Sequence, residues 1–227
     1  GRTAAAIATG SSHTCAILDD ASLKCWGSNS HGQLGDGTTT DSSTPVSADL
    51  PTATTVGGIS GGQYSNCVIL DVDSVVKCWG DNGYGQLGDG TASNSNTPVQ
   101  VSMPSGRTAV SISTGSYHAC AILDDASLYC WGYGRNGELG DGTGADSNTP
   151  AAVSLPSART AVAVSAGNHH TCALLDNLSV QCWGENEAGQ AGDGTTTERL
   201  TPAYVNLSSG SLAAVSERDI DTAGTLN

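Results

Sequence analysis

Four tryptophans constrain the fold of this chain more than any other feature. Trp26, Trp79, Trp131 and Trp183 stand 53, 52 and 52 residues apart, and each is preceded by Cys and followed by Gly. A signature recurring at a fixed spacing of roughly 52 residues marks a tandem array of one supersecondary unit, because a single-copy fold has no reason to repeat itself. The question is then what one unit is.

Each period carries the same elements in the same order. A small apolar stretch of strand character opens it, at 3–9, 53–60, 108–114 and 160–166. After a Gly comes a second strand, His13 to Leu18 in the first copy and His118 to Leu123 in the third, and an Asp-rich turn returns the chain along Leu23-Lys24-Cys25-Trp26. Two alternating runs joined by a short polar turn read as a β-hairpin. A glycine-punctuated loop follows, at 32–38, 85–91, 137–143 and 189–195, and a fourth strand is expected to start at Thr-Pro, with Pro45, Pro98, Pro150 and Pro202 where an outer strand tolerates a missing donor. Four short strands per unit and no helical period predict an all-β chain of four tandem four-stranded propeller-type blades, an incomplete β-propeller or one completed by assembly. The repeats fall at about 1–52, 53–105, 106–157 and 158–210 with a leftover strand at 211–216, forming one repeat domain over 1–216 followed by a tail at 217–227.

The eight cysteines pair within the hairpins as Cys15 with Cys25, Cys67 with Cys78, Cys120 with Cys130 and Cys172 with Cys182. If Cys15 faces Cys25, then Ile17 opposes Leu23 and a loop of Asp19, Asp20 and Ala21 remains. Residues directly opposed on antiparallel strands have Cα atoms within the reach of a disulfide. In the second repeat the loop at 71–74 absorbs one extra residue and keeps Leu70 opposite Val75. Zinc is the competing reading, but zinc sites favour cysteines two to four residues apart. Each closed loop removes about 2–3 kcal/mol of unfolded-state entropy, and disulfides in this number belong to an oxidising compartment.

The stretch Cys-Ala-Ile-Leu-Asp-Asp-Ala-Ser-Leu-Lys-Cys-Trp-Gly-Ser-Asn-Ser-His-Gly-Gln-Leu-Gly-Asp-Gly-Thr at 15–38, recurring four times, resembles the repeat of the regulator of chromosome condensation family in its bacterial secreted, cysteine-containing form. The resemblance covers the chain to about Ser216. It implies a propeller scaffold, usually closed as a seven-bladed ring, whose members include a chromatin-bound exchange factor for a small GTPase and a bacterial β-lactamase inhibitor. Fold alone does not choose among such roles. The chain departs from the family's hairpin turn, which carries Gly after Asp, by placing Ala21, Asp73, Ala126 and Leu178 near that point, so looser turns are expected.

Composition removes several functions. With 8 Lys plus Arg against 22 Asp plus Glu, the net charge of −14 repels phosphate backbones and anionic membranes, so nucleic-acid binding is not expected. No apolar run reaches the length of a membrane span, so no membrane insertion is expected. A start at Gly1-Arg2-Thr3, without Met or a leader pattern, reads as a processed, secreted chain of the extracellular space or cell surface.

No residue constellation carries chemistry. His13, His118 and His170 recur two positions before a Cys, with Ser65 in the second copy, and a repeated structural position explains them better than a ring of metal ligands. Asp36, Asp89, Asp141 and Asp193 in the Gly-Asp-Gly-Thr loops supply one carboxylate per loop, which suits a turn better than calcium or phosphate. Gly134 stands where the other copies have Asn29, Asn82 and Asn186, a swap read as shared tolerance of left-handed backbone. No nucleophile with a base and no carboxylate pair is special to one repeat, so neither catalysis nor a cofactor is expected. Asn177-Leu178-Ser179 and Asn206-Leu207-Ser208 match the glycosylation pattern.

A ring of seven such units needs far more than 227 residues, and the first repeat shows none of the atypical sequence of a capping unit. The expected function is therefore an extracellular structural or adhesive protein, non-enzymatic, assembling with itself head to tail into a filament or surface assembly. Ile7, Leu212, Val215, Ile220 and Leu226 are the expected assembly residues, the strand at 3–9 meeting the strand at 211–216 and tail of a neighbour. The alternative is a monomeric module that binds another protein. Such a module should carry an exposed aromatic patch, for which a chain with no Phe and six Tyr gives little sign.

Overall fold

The computed structural model describes residues 1–51, 54–71 and 75–207. They form four antiparallel four-stranded sheets, each a meander in chain order. Blade 1 comprises β1 (Ala4–Thr9), β2 (His13–Leu18), β3 (Leu23–Gly27) and β4 (Ser42–Ser47); blade 2 comprises β5 (Val56–Gly61), β6 (Ser65–Leu70), β7 (Val76–Gly80) and β8 (Ser95–Gln100). Blade 3 comprises β9 (Ala109–Thr114), β10 (His118–Leu123), β11 (Leu128–Gly132) and β12 (Ser147–Ala152); blade 4 comprises β13 (Ala161–Ala166), β14 (His170–Leu175), β15 (Val180–Gly184) and β16 (Arg199–Tyr204). The fourth strands begin two residues before Thr-Pro, not at it, because Ser42, Ser95, Ser147 and Arg199 already pair with Gly27, Gly80, Gly132 and Gly184 of the third strands. Each proline still lies on the outermost strand of its sheet.

In every hairpin the half-cystines are directly opposed, with Ile17 across from Leu23 in blade 1. All eight cysteines are joined in the four hairpin disulfides, with Cα separations of 4.0–4.1 Å. In blades 1, 3 and 4 the turns are not loosened by the missing glycine, and Asp73 of blade 2 lies outside the described residues. Ala21, Ala126 and Leu178 adopt φ of 59°, 61° and 66°, the left-handed backbone that Gly would take without strain, and Ala21 N–H still closes on the Leu18 carbonyl at 2.8 Å. The tight hydrogen-bonded turn is kept, at a local strain cost.

The core lies between blades, where one sheet face meets the next. The first inter-blade cluster gathers Cys15, Ile17, Leu23, Cys25 and Leu34 of blade 1 around Val56, Val68, Leu70 and Trp79 of blade 2. Equivalent clusters form around Trp131 and Trp183. The disulfides of blades 1, 2 and 3 therefore face the following blade, and Trp79, Trp131 and Trp183 the preceding one. The indole N–H groups of Trp79, Trp131 and Trp183 donate to the backbone carbonyls of Gln33, Gln86 and Glu138, at 2.9, 3.0 and 2.8 Å. Gly35, Gly88 and Gly140 let these rings approach, since a Cβ at any of them would lie 2.7 Å from the indole nitrogen. The inner strands β1, β5, β9 and β13 pack on one another in sequence. One broad concavity is lined by the same short segment of every blade, 9–11, 61–63, 114–116 and 166–168, as blades arranged about a common axis require.

Candidate binding face

Three positions of each repeat meet at one end of the blades. The residue before the second strand is Ser12, Tyr64, Tyr117 or His169, and the residue after Trp-Gly is Ser28, Asp81, Tyr133 or Glu185. The hairpin brings these two together: the N–H groups of Ser28, Asp81, Tyr133 and Glu185 donate to the carbonyls of Ser12, Tyr64, Tyr117 and His169 at 2.8–3.0 Å. The third position, His31, Tyr84, Asn136 or Ala188, sits at the head of the glycine loop. There the side chain of Gln33, Gln86, Glu138 or Gln190, two residues on, accepts its backbone N–H.

Aromatic residues at these positions form a continuous surface across the blades. Tyr84 meets Tyr117 edge-on with centroids 5.4 Å apart and Tyr133 at 5.0 Å, and both tyrosines contact His169 at 5.8 Å, closing a four-ring cluster over blades 2, 3 and 4. His31 stacks on Tyr64 at 4.7 Å across blades 1 and 2. Edge-on and offset contacts of this kind are the arrangement aromatic quadrupoles favour. The Arg135 guanidinium lies 5.9 Å above the Tyr133 ring. Partial burial raises the phenol pKa values of Tyr117 and Tyr133, Tyr64, Tyr84 and Asp81 adding to the effect on Tyr117 and Glu138 to that on Tyr133. The phenols of Tyr117 and Tyr133 therefore stay neutral beside acidic neighbours.

Beneath them lies Glu138, whose side chain is fully buried. It takes the place of Gln33, Gln86 and Gln190, accepts bonds from Asn136 N–H and Nδ2, and has His169 Nδ1 3.5 Å away, aligned too poorly for a hydrogen bond. Burial pushes its pKa up to about 7.

Two of the three recurring histidines, His13 and His118, serve the blade junctions, while His170 is partly buried on blade 4. His13 Nε2 lies 3.1 Å from Asn66 Oδ1 of blade 2, and His118 Nε2 lies 2.8 Å from Thr171 Oγ1 of blade 4. Burial lowers the pKa of both, that of His118 to about 3. Among the described residues no group of His, Cys, Asp and Glu is placed to hold a metal ion. The loop aspartates cap turns: Asp36, Asp89, Asp141 and Asp193 each accept the backbone N–H and the hydroxyl of the Thr two residues on. Asn29, Asn82 and Asn186 are not left-handed, and neither is Gly134. Each Asn staples its loop through several bonds from Nδ2, whereas at Gly134 the Ala145 carbonyl comes to within 2.2 Å of where a Cβ would stand, leaving no room for the amide. Asn177 is exposed and caps its hairpin turn, its Oδ1 accepting from Ser179; Asn206 is exposed, and Ser208 lies outside the described residues. Of the expected assembly residues, Ile7 is 69% exposed. Leu212, Val215, Ile220 and Leu226 lie outside the described residues.

The aromatic face was invisible to a reading that followed what repeats, because its residues occupy positions where the four copies differ. The usable signal was the reverse one: four of the six tyrosines, together with His31 and His169, fall at three such positions.

Two models of the regulator of chromosome condensation (RCC1) repeat match the chain, one at residues 23–69, 76–122 and 125–174, the other at 4–33, 109–138 and 161–190. The chain is 30% identical to the ultraviolet-B receptor UVR8 of Arabidopsis thaliana over 88% of its length and 45% of that protein. It is 30% identical to the human E3 ubiquitin-protein ligase HERC2 over 88% of its length and 4% of that protein, so it spans less than half of each relative. The structure of yeast RCC1 (Prp20) bound to Kap60 superimposes with a TM-score of 0.78 at 21% identity, covering 91% of this chain and 49% of the other. The CRINKLY ectodomain of the Arabidopsis thaliana receptor kinase ACR4 gives 0.53 at 22% identity, covering 91% and 54%.

Proposed function

The chain belongs to the regulator of chromosome condensation (RCC1) repeat family, and from that premise we propose that it is a protein-binding module without catalysis of its own, gripping a basic segment of a partner protein on its aromatic face. The observation that carries this reading is the cluster of Tyr84, Tyr117, Tyr133 and His169. Clustered tyrosines bury large area at low entropic cost, which makes them frequent anchors of protein interfaces. A net charge of −14, with Asp81 acting on Tyr117 and Glu185 close by, favours a cationic partner, and Arg135 over Tyr133 shows how a partner's arginine would stack. The four disulfides support an extracellular or otherwise oxidising location. Calorimetric titration with an arginine-rich and a glutamate-rich peptide of equal length tests it. Only the first should bind, and Tyr84→Ser or Tyr117→Ser should weaken it about tenfold. Equal binding of the two peptides, or variants that bind like the parent, would sink the reading.

A second reading, an extracellular structural protein assembling head to tail, is favoured by one observation. The outward face of blade 1 and that of blade 4 are uncovered among the described residues, Ile7 being 69% and Leu207 52% exposed.

A further inference from the structure

We propose that Glu138 and His169 form a proton-operated switch beneath the aromatic face, which holds a cationic partner tightly when Glu138 is ionised and weakly when it is protonated. The inference rests on the aromatic-face reading and adds how that face is regulated.

The loop itself does not call for a carboxylate. In blades 1, 2 and 4 the equivalent residue is Gln33, Gln86 or Gln190, whose amide oxygen accepts the backbone N–H two residues back. Glu138 does the same with one oxygen, Oε2, which takes the Asn136 N–H at 3.0 Å. Its second oxygen is surplus to the turn. Oε1 accepts from Asn136 Nδ2 at 3.1 Å and lies 3.5 Å from His169 Nδ1, a buried atom that makes no hydrogen bond. His169 is equally particular to its blade, standing where the other copies have Ser12, Tyr64 and Tyr117. Two residues that differ from their repeat equivalents thus meet across the junction of blades 3 and 4, one with a removable proton and the other with an unused ring nitrogen.

The pair is connected to the binding surface. The His169 ring stacks on Tyr117 and meets Tyr133 edge-on, both with centroids 5.8 Å away. Its side chain is 26% exposed and that of Glu138 fully buried, so the carboxylate acts on a bound ligand through the rings and not by touching it. On ionisation Glu138 places a negative charge in a site of low dielectric behind the ring faces, where attraction to a cation above them is stronger than in water. It also draws the His169 Nδ1–H into a charge-assisted hydrogen bond, which fixes the fourth ring of the cluster. Protonation removes both effects.

The charged and titratable neighbours set the working range. On its own loop Glu138 has Tyr133 and Arg135, the latter paired with Asp146 at 3.0 Å, and from blade 4 it has His169 and Glu185. Burial is the main cause that carries the Glu138 pKa up to about 7, and the Glu185 carboxylate adds to it. Tyr133, with its pKa raised, stays neutral there, and so does the buried His118, which interacts electrostatically with His169 and has its pKa lowered to about 3. Ionisation of Glu138, and with it affinity, therefore rises as pH rises through about 7.

Calorimetric titration with an arginine-rich peptide, whose charge is constant between pH 6 and pH 8, tests the proposal. The parent should bind about fivefold tighter at pH 8 than at pH 6, for a coupling of about tenfold between partner and proton. Glu138→Gln, with disulfides intact and circular dichroism as in the parent, should bind equally at both. That variant retains His31, His169 and His170, so a dependence surviving in it would belong to them and overturn the switch. His169→Phe keeps the ring without Nδ1 and should keep the dependence with its midpoint at higher pH, since the carboxylate loses a donor. A flat profile there would make the histidine the titrating group and equally overturn it. By reciprocity, the glutamate carboxyl carbon resonance that is missing in Glu138→Gln should titrate near 7 in the free parent and about one pH unit lower with the peptide bound. A parent that prefers the arginine-rich to the glutamate-rich peptide equally at pH 6 and pH 8 would sink the switch and leave the aromatic-face reading standing, whereas binding of neither peptide at any pH would bring down both.

Discussion

Trp26 and Trp131 occupy the same place in their repeats, on the same strand, beside the same disulfide, yet Trp131 is fully buried and Trp26 only half so. The same holds for Ala4, exposed on blade 1, against Ala109 and Ala161, both 3% exposed. The repeat thus specifies half an interface. A blade forms its own hairpins and disulfide, but its hydrophobic face has value only when the neighbouring blade supplies Leu87 and the Gln86 carbonyl to meet it. In an array of this kind stability resides largely in the junctions.

The strongest way to break that comparison is to remove both rings separately. Trp131→Ala empties a filled junction and should cost about 3–5 kcal/mol, read as a lowered midpoint in urea with disulfides intact. Trp26→Ala removes a ring already facing water on one side and should cost roughly 1 kcal/mol in the monomer. Equal losses would mean that the tryptophan stabilises its own blade, and the account of junction-borne stability would fall.

The same division explains what could be read from the residues alone. Blades, strand order, register and disulfide pairs follow from features that recur, since Cys-Trp-Gly, the opposed cysteines and the glycine loop are local and appear four times. The proposed binding face does not recur. Tyr133 stands where Ser28, Asp81 and Glu185 stand in the other copies, and only the assembled arc brings it to within 5.0 Å of Tyr84, a residue almost a full repeat away. Left-handed φ at Ala21 was likewise beyond a propensity argument, because the hydrogen-bonded hairpin turn overrides the residue's preference. The assembly role expected for Leu212, Val215, Ile220 and Leu226 falls on residues outside those described.

A finer comparison sets the junction of blades 3 and 4 against that of blades 2 and 3, for the first has Glu138 where the second has Gln86. Glu138 titrates near 7 in the folded protein against an ordinary value of 4.5, so the folded state holds a proton there that the unfolded chain has released. The stability it contributes is complete below 4.5 and is lost as pH rises through 7. His118 runs the other way: with its pKa lowered from 6.5 to about 3, its contribution is present above 6.5 and lost as pH falls toward 3. The two slopes oppose one another between 4.5 and 6.5. Glu138→Gln should remove only the first. The variant should match the parent at pH 4 and exceed it by about 2 kcal/mol at pH 8, after allowing for screening by water. A constant difference across pH would show that the gain comes from packing and not from the carboxylate's proton.

The smallest expected effect asks whether blade 4 unfolds with the rest. Ala126 in blade 3 and Leu178 in blade 4 have φ of 61° and 66°, a conformation that costs a residue with a Cβ about 1–2 kcal/mol and Gly almost nothing. Gly also leaves the unfolded chain freer, which takes back roughly 0.4–1 kcal/mol, so either substitution to Gly should stabilise by about 0.5 kcal/mol. Leu178 is 77% exposed and loses no packing on replacement. The two sites differ in their surroundings. The Ala126 carbonyl accepts the Ala161 N–H of blade 4 at 3.1 Å, while Leu178 lies on the hairpin of blade 4, the last in the arc. Because the strain belongs to the hairpin, equal rises in the thermal midpoint for Ala126→Gly and Leu178→Gly would mean that blade 4 melts in one transition with the interior blades. A rise for Ala126→Gly alone would mean that blade 4, one face of which no described residue covers, frays first and that its hairpin is already open when the main transition occurs.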